Sequence, residues 1–217
     1  MKTVAKHVIL LGAPGVGKGT LGQEVVKRAG LAYVSTGDML RSEVAAKTDL
    51  GNKIASILAA GELVNDDLVN ELIKKALERP ESQNGYMLDG YPRTLYQANT
   101  LEKLPQGKID IVFNIELPTE EIVRRISSRR NCPKCKAVYN LLYSAPKKEG
   151  VCDKCGTGLV TRSDDNPDTI RNRIGVYEKN TKPLVEYYEK KGVLVRIDSS
   201  GSDNEPKIRK MLEIIGK

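Results

Sequence analysis

Residues 7–30, HVILLGAPGVGKGTLGQEVVKRAG, leave the chain few folds to choose from. HVILL is a short apolar run with several β-favouring residues, which reads as a buried parallel strand. LGQEVVKRAG carries apolar residues at helical spacing and stops on Gly30. Between them lies GAPGVGKGT, Gly12 to Thr20. Strand, glycine loop and helix N-terminus together aim backbone N–H groups at an anion. Lys18 adds a mobile point charge for the outer phosphates. In the common phosphate-loop pattern a Ser or Thr follows the lysine directly and holds Mg²⁺. Here Gly19 follows it and Thr20 comes one place later. A glycine turn without a ligand is the competing reading, and the glycines, the lysine and both flanks speak against it.

The rest of the chain continues the alternation. Strand-like runs recur at Leu31–Ser35 (the weakest), Tyr86–Leu88, Ile109–Ile115 and Val193–Ile197. Helical patterns cover Lys18–Arg28, Gly37–Lys47, Gly51–Ala60, Asp66–Glu78, Thr94–Leu104, Thr119–Arg129, Pro167–Lys190 and Glu205–Ile215. This order predicts an α/β fold, a parallel sheet with helices on both faces. Ligands of such sheets sit at the carboxyl ends of the strands. That directs attention to STGD, LDGYPR and IDSSG as well as the glycine loop. Two segments interrupt the alternation: Thr36–Val64, read as helical throughout, and Asn131–Asp165, rich in Cys, Gly, Pro and Lys. Both read as insertions into one core.

Composition removes several function classes. The only histidine is His7, at the start of the first strand, so histidine acid–base or nucleophilic catalysis is excluded. No apolar run approaches the length of a membrane span. MKTVAKHVILLGAP is basic then apolar, but its apolar part is too short for a signal peptide and leads straight into the loop. The expected compartment is the cytosol. A net charge of +7 fits nucleic acid, a phosphorylated small molecule or merely a basic surface. With no Trp and one Phe, a base-stacking platform is not evident.

Cys132, Cys135, Cys152 and Cys155 form C-x2-C-x16-C-x2-C, a spacing that reads as a zinc site. Four thiolates close a tetrahedron and leave no position for substrate water, so such a metal is structural. Iron in the same cage and a pair of disulfides are the alternatives. A segment of this size has little core of its own, and a metal supplies what is missing. At this point a zinc ribbon that binds nucleic acid also fits.

Arginines gather beside the strand ends and the cysteine segment: STGDMLR ends at Arg41, YPR at Arg93, RRISSRR spans Arg124–Arg130, and TRSDDNPDTIRNR spans Thr161–Arg173. Guanidinium forks suit a site that holds many phosphate charges. With GAPGVGKGT, GELVNDDLV and LDGYPRT in the same order, the chain resembles the adenylate kinases, in the bacterial long-lid form with a zinc-binding lid. The resemblance runs from about residue 7 to 215.

It implies a P-loop NTPase-like core with two inserted mobile subdomains, all within one kinase domain, 1–217. Residues 1–35, 65–127 and 166–217 would be core, 36–64 an AMP-binding insert and 128–165 a lid. It also accounts for Gly19: in that family Mg²⁺ is held by phosphates and waters, with a carboxylate matching Asp89 acting through water. By resemblance, Gly15, Val16, Gly17, Lys18, Gly19 and Thr20 bind ATP phosphates, Arg125 lies against adenine, Arg129 on the phosphates, and Val138, Tyr139 and Gly201 also contact ATP. Without the resemblance, Tyr139 reads as packing on the ribbon. Thr36, Arg41, Glu62, Leu63, Val64, Gly90, Tyr91, Pro92, Arg93 and Gln97 match the AMP site, and Gln97 can pair with adenine. Arg162 and Arg173 match the pair that enters the cleft on closure, with Asp164 and Asp165 orienting arginines. Lys18, Arg93, Arg129, Arg162 and Arg173 would surround the transferred phosphoryl group. Some zinc-lid relatives place Asp where this chain has Cys155.

The implied reaction is ATP + AMP ⇌ 2 ADP, with Mg²⁺ on ATP and zinc in the lid, in a cytoplasmic monomer without nucleic-acid or membrane partners. A kinase for UMP/CMP or GMP is the nearest rival. A zinc-ribbon nucleic-acid binder is the rival from another class.

Overall fold

The computed structural model describes residues 6–162 and 164–216. Residues 1–5 of the basic leader, position 163 of the TRSDDNP run and residue 217 lie outside them. Five parallel strands form the central sheet: β1 (His7–Leu11), β2 (Ala32–Ser35), β3 (Tyr86–Asp89), β4 (Ile111–Glu116) and, as the last strand of the chain, β7 (Leu194–Asp198). Their order is β2-β3-β1-β4-β7. Strand alternation sends side chains to opposite faces, and β1 shows the result. Val8 and Leu10 join a core beneath α1 (Lys18–Ala29), α6 (Thr119–Ser127) and α9 (Glu205–Ile215). Ile9 and Leu11 join a second core beneath α4 (Asp66–Leu77), α5 (Leu95–Glu102) and α8 (Pro183–Lys190). The near-continuous apolar strands are thus explained by two covered faces.

The 36–64 segment forms two helices, α2 (Thr36–Ala45) and α3 (Asp49–Ala60), followed by non-helical residues to Val64. It is therefore not helical throughout: Thr48 caps α3 by accepting from the Gly51 N–H, and Gly61 ends it at φ 78°. A second correction concerns Pro167–Lys190. It divides into α7 (Pro167–Val176), a π-helical turn at Tyr177–Thr181, and α8. Pro183 has no N–H to continue the ladder, and the Lys182 N–H reaches back to the Tyr177 carbonyl instead. The cysteine segment carries its own small sheet, β5 (Arg129–Asn131) paired antiparallel with β6 (Val138–Asn140). No helix among the described residues is long and apolar enough to cross a membrane.

Candidate active site

The glycine loop sits at the carboxyl end of β1, against the first core. At Gly12 (φ 135°) a Cβ would overlap the Ile115 carbonyl oxygen, and at Gly15 (φ 82°) it would overlap Ile126. No other residue type fits either place. The Val16 side chain is buried in the core, so only its backbone belongs to the loop. Ser199, just after β7, pins that backbone by donating to the Val16 carbonyl at 2.6 Å.

Helix N-termini leave N–H groups without intrahelical partners. Ser35, Thr48, Asn65, Thr94 and Asn166 supply oxygen caps to α2, α3, α4, α5 and α7. The α1 terminus has Gly17 instead, with no side-chain cap and no acid in the first turn. Its N–H groups and dipole are left for an anion. Lys18 folds back over the loop, donating to the Gly12 and Ala13 carbonyls at 2.7 and 2.8 Å.

The loop opens into a cavity of about 270 Å³, also lined by Tyr33, Arg41, Asp89, Arg93, Arg129, Arg162 and Arg173. These cations come from widely separated parts of the chain and outnumber the carboxylates that meet them. Burial pushes Arg93 down to about 10, with the Arg173 charge adding to the effect. Arg162 is pushed down to about 10 by burial and then by Arg129 and Arg41. Arg173 moves down for the same first reason. Guanidinium groups keep their protons in proteins, so these shifts express first the cost of burying the charges and then their mutual repulsion. The cleft is built to receive polyanions.

Asp164 and Asp165 hold part of this array in place. Arg129 makes a two-pronged pair with Asp165, its Nε 2.8 Å from Oδ2 and its Nη2 on Oδ1. Arg173 reaches Asp164 Oδ2 at 2.9 Å and Asp165 Oδ1 at 3.4 Å. Burial alone would raise the Asp164 carboxyl, but Arg173, Arg41, Arg129 and Arg162 outweigh it and hold it below the usual range. Asp89 accepts from the Tyr33 hydroxyl at 2.6 Å, close to Gly19. Tyr33 was not singled out from the sequence, because β2 is the weakest strand signal.

A smaller cavity of about 50 Å³ adjoins the first and brings together Thr36, Arg41, Glu62, Leu63, Val64, Gly90, Arg93 and Gln97. Pro92 lines the larger cavity. Tyr91 does not reach either wall: its ring is buried in the second core, and its hydroxyl donates to Asn70 Oδ1. The Glu62 carboxylate accepts from Asn172. Asp66, another residue the sequence reading passed over, holds Gln97 Nε2 at 2.7 Å.

At the other end of the cleft, Arg125 donates to the carbonyls of Ser199 (2.9 Å) and Gly201 (3.1 Å) and lies over the Tyr143 ring at 5.4 Å. Gly19, Thr20, Val138, Tyr139 and Gly201 line this cavity. The Tyr139 hydroxyl turns away from it, toward Cys152 Sγ at 3.4 Å, and accepts from the Asp153 N–H. The packing reading of Tyr139 on the ribbon thus has a counterpart in its hydroxyl bonds. His7 bonds the Lys108 carbonyl and stacks on Tyr86, at the opposite end of β1 from the loop.

All four cysteines are free thiols whose sulfur atoms lie within 4.8 Å of one another. Two of the separations are 3.4 and 3.5 Å. Zn–S bonds of about 2.3 Å in a tetrahedron give edges of about 3.8 Å. The two halves repeat one turn: Cys132 N–H to Ala137 carbonyl with Lys136 N–H back to Cys132, and Cys152 N–H to Thr157 carbonyl with Gly156 N–H back to Cys152. The donor set and its spacing fit a four-coordinate soft-metal site.

Comparison with known proteins agrees with this geometry. The family model for adenylate kinase matches residues 10–193. An adenylate kinase of Archaeoglobus fulgidus is 46% identical over 197 residues, covering 89% of this chain and 91% of the relative. One of Kosmotoga olearia is 47% identical, covering 89% and 92%. One of Staphylococcus epidermidis is 43% identical over 202 residues, covering 92% and 94%. A loop shaped for phosphate, an arginine-lined cleft and a match over most of the chain lead to one conclusion: this chain belongs to the adenylate kinase family.

Proposed function

We infer that the chain catalyses reversible phosphoryl transfer from Mg·ATP to AMP, giving two ADP, and that the cleft residues divide the work as the resemblance implies. The array of buried, undercompensated cations around an uncapped helix N-terminus carries this reading. ATP lies along the glycine loop, its adenine toward Arg125 and Gly201. AMP occupies the smaller cavity, its phosphate toward Arg41 and Arg93. Phosphoryl transfer through a loose transition state needs positioning and charge stabilisation more than a base. Lys18, Arg93, Arg129, Arg162 and Arg173 neutralise the oxygens of the moving group. Asp89 would hold Mg²⁺ through water, and the ion would supply neutralisation of phosphate charge when bound with ATP.

Residues 36–64 act as the AMP-binding insert and 128–165 as the lid, on a core of 1–35, 65–127 and 166–217. Closure of both excludes water from the reacting phosphate. Zinc is the occupant of the cysteine site, where it orders the lid without touching substrate. The same reading makes the protein a cytoplasmic monomer with ATP, AMP and ADP as partners, free of nucleic acid and membrane. The decisive assay follows ADP formation from Mg·ATP with AMP, UMP, CMP or GMP as acceptor and with none. Activity with AMP alone, and little hydrolysis without an acceptor, is expected. Preference for another acceptor overturns the AMP assignment, and no transfer to any overturns the reaction.

Lys18 gives a pH test. Burial lowers it to about 8 in the nucleotide-free protein, although Asp89 pulls it upward. Phosphates brought against it favour the charged form. ATP binding near pH 8.5 is therefore expected to take up a proton. Calorimetry in two buffers of different ionisation enthalpy should give unequal heats, and equal heats contradict the assignment. In the free protein the unfolded chain holds more protons between about 8 and 10.5, so this group's effect on stability improves as pH rises through that window.

A further inference from the structure

We infer that Asp66 sets the choice of acceptor base by locking the Gln97 side-chain amide in one of its two flips, an inference that rests on the AMP reading of the smaller cavity. Gln97 is 2% exposed and lines that cavity. Each end of its amide already has a partner. Oε1 accepts from the Arg93 backbone N–H at 2.7 Å, and Nε2 donates to Asp66 Oδ1 at 2.7 Å. A backbone N–H can only donate, and an ionised carboxylate can only accept. Turning the amide over would set N–H against N–H at Arg93 and oxygen against oxygen at Asp66. The orientation is thus dictated by its two neighbours.

Asp66 is itself fixed. Its Oδ2 accepts from the Thr94 hydroxyl at 2.8 Å, and that hydroxyl oxygen accepts from the Gln97 backbone N–H at 3.1 Å. Because Gln97 N–H donates to Thr94, the Thr94 proton is directed to Asp66. The Arg93 carbonyl is held by Thr181 Oγ1 at 3.0 Å, which steadies the other side.

An amide oxygen accepts two hydrogen bonds and an amide NH₂ donates two. One acceptor and one donor position of Gln97 therefore remain for a nucleobase. Adenine presents an exocyclic N–H beside a ring-nitrogen acceptor, the pattern a glutamine amide pairs with. Hypoxanthine and guanine present O6 beside N1–H, which calls for the same amide flipped over. Asp66 and the Arg93 N–H together oppose that flip, and polar mismatches of this kind discriminate strongly. Asp66 is a positioning residue that acts through Gln97.

The test is Asp66→Asn, which keeps the side-chain size but can face Gln97 with either a donor or an acceptor. Asp66→Ser is a second variant, in case the first folds poorly. kcat/KM is measured for AMP and for IMP, with Mg·ATP as donor, in the wild type and in each variant. The AMP-over-IMP ratio is expected to fall by about tenfold, the difference between a charge-assisted and an ordinary hydrogen bond. A merely structural role would lower both values together, so an unchanged ratio in a folded variant overturns the assignment. No AMP-dependent ADP formation by the wild type would overturn the AMP reading, and this inference with it.

Discussion

Lys18→Ala is expected to lower kcat by about a thousandfold or more while the protein stays folded. Removing a single preorganised donor from developing charge typically costs about 10²–10³ in kcat, and a cation on a transferring phosphoryl group as much or more. The Lys18 side chain belongs to the cleft wall. It is tied to two carbonyls of its own loop, Gly12 and Ala13. Burial also depresses its pKa, so the folded protein gains little from this cation. The melting temperature of the variant should be unchanged or higher. Arg93→Ala tests the acceptor side of the same array. The backbone of Arg93 retains its bonds to Gln97 and Thr181 after the guanidinium is removed. A folded Lys18→Ala or Arg93→Ala protein with near-normal kcat would sink the role assigned to that residue.

Removing the metal proposed for the four-cysteine cluster is expected to have the second large effect, and it falls on stability. Among the described residues, the lid's apolar cluster consists of Cys132, Ala137, Tyr139 and Cys152, with Cys155 and Leu159 packed beside it. Four of those six are metal-site residues or, for Tyr139, bonded to one through its hydroxyl. A cluster this small supplies little ordering of its own, and the proposed metal would supply the rest. Zinc contributes about 10–16 kcal/mol in isolated finger peptides. A fraction of that, about 3–5 kcal/mol, shifts the melting of a chain this size by about 10 °C or more. At 25 °C kcat should fall much less than in Lys18→Ala, since no thiol lines the cleft. Differential scanning calorimetry with and without chelator checks this, alongside metal analysis of the untreated protein. An unchanged melting curve after the metal is removed would contradict the structural role.

Features governed by local rules were legible in advance. Strand, glycine loop and helix announce an anion site at a helix N-terminus. The two C-x2-C pairs announce one four-thiolate cluster, and apolar runs alternating with helical patterns announce a covered parallel sheet. Local rules failed where a partner from elsewhere intervened. Pro183 divides what periodicity reads as one helix, and the π-helical turn before it appears only once the ladder must be rerouted. Asp66, at the first turn of α4, reads as an ordinary acidic helix start, and nothing near it in sequence names Gln97, 31 residues away, as its partner. Tyr91 stood among the AMP-site residues by resemblance, yet packing drew its ring into the core and left Pro92 on the cleft wall.

From sequence alone came the class of fold, the phosphate loop, the four-cysteine cluster and the family, because each depends on residues close together or on a motif order along the chain. The tertiary structure decided which charges meet. Arg41, Arg93, Arg129, Arg162 and Arg173 converge only through the β2-β3-β1-β4-β7 order and the two insertions that hang from it. The electrostatic demand for phosphate is a sum over these long-range neighbours in a desolvated cleft, and no pattern along the chain carries that sum.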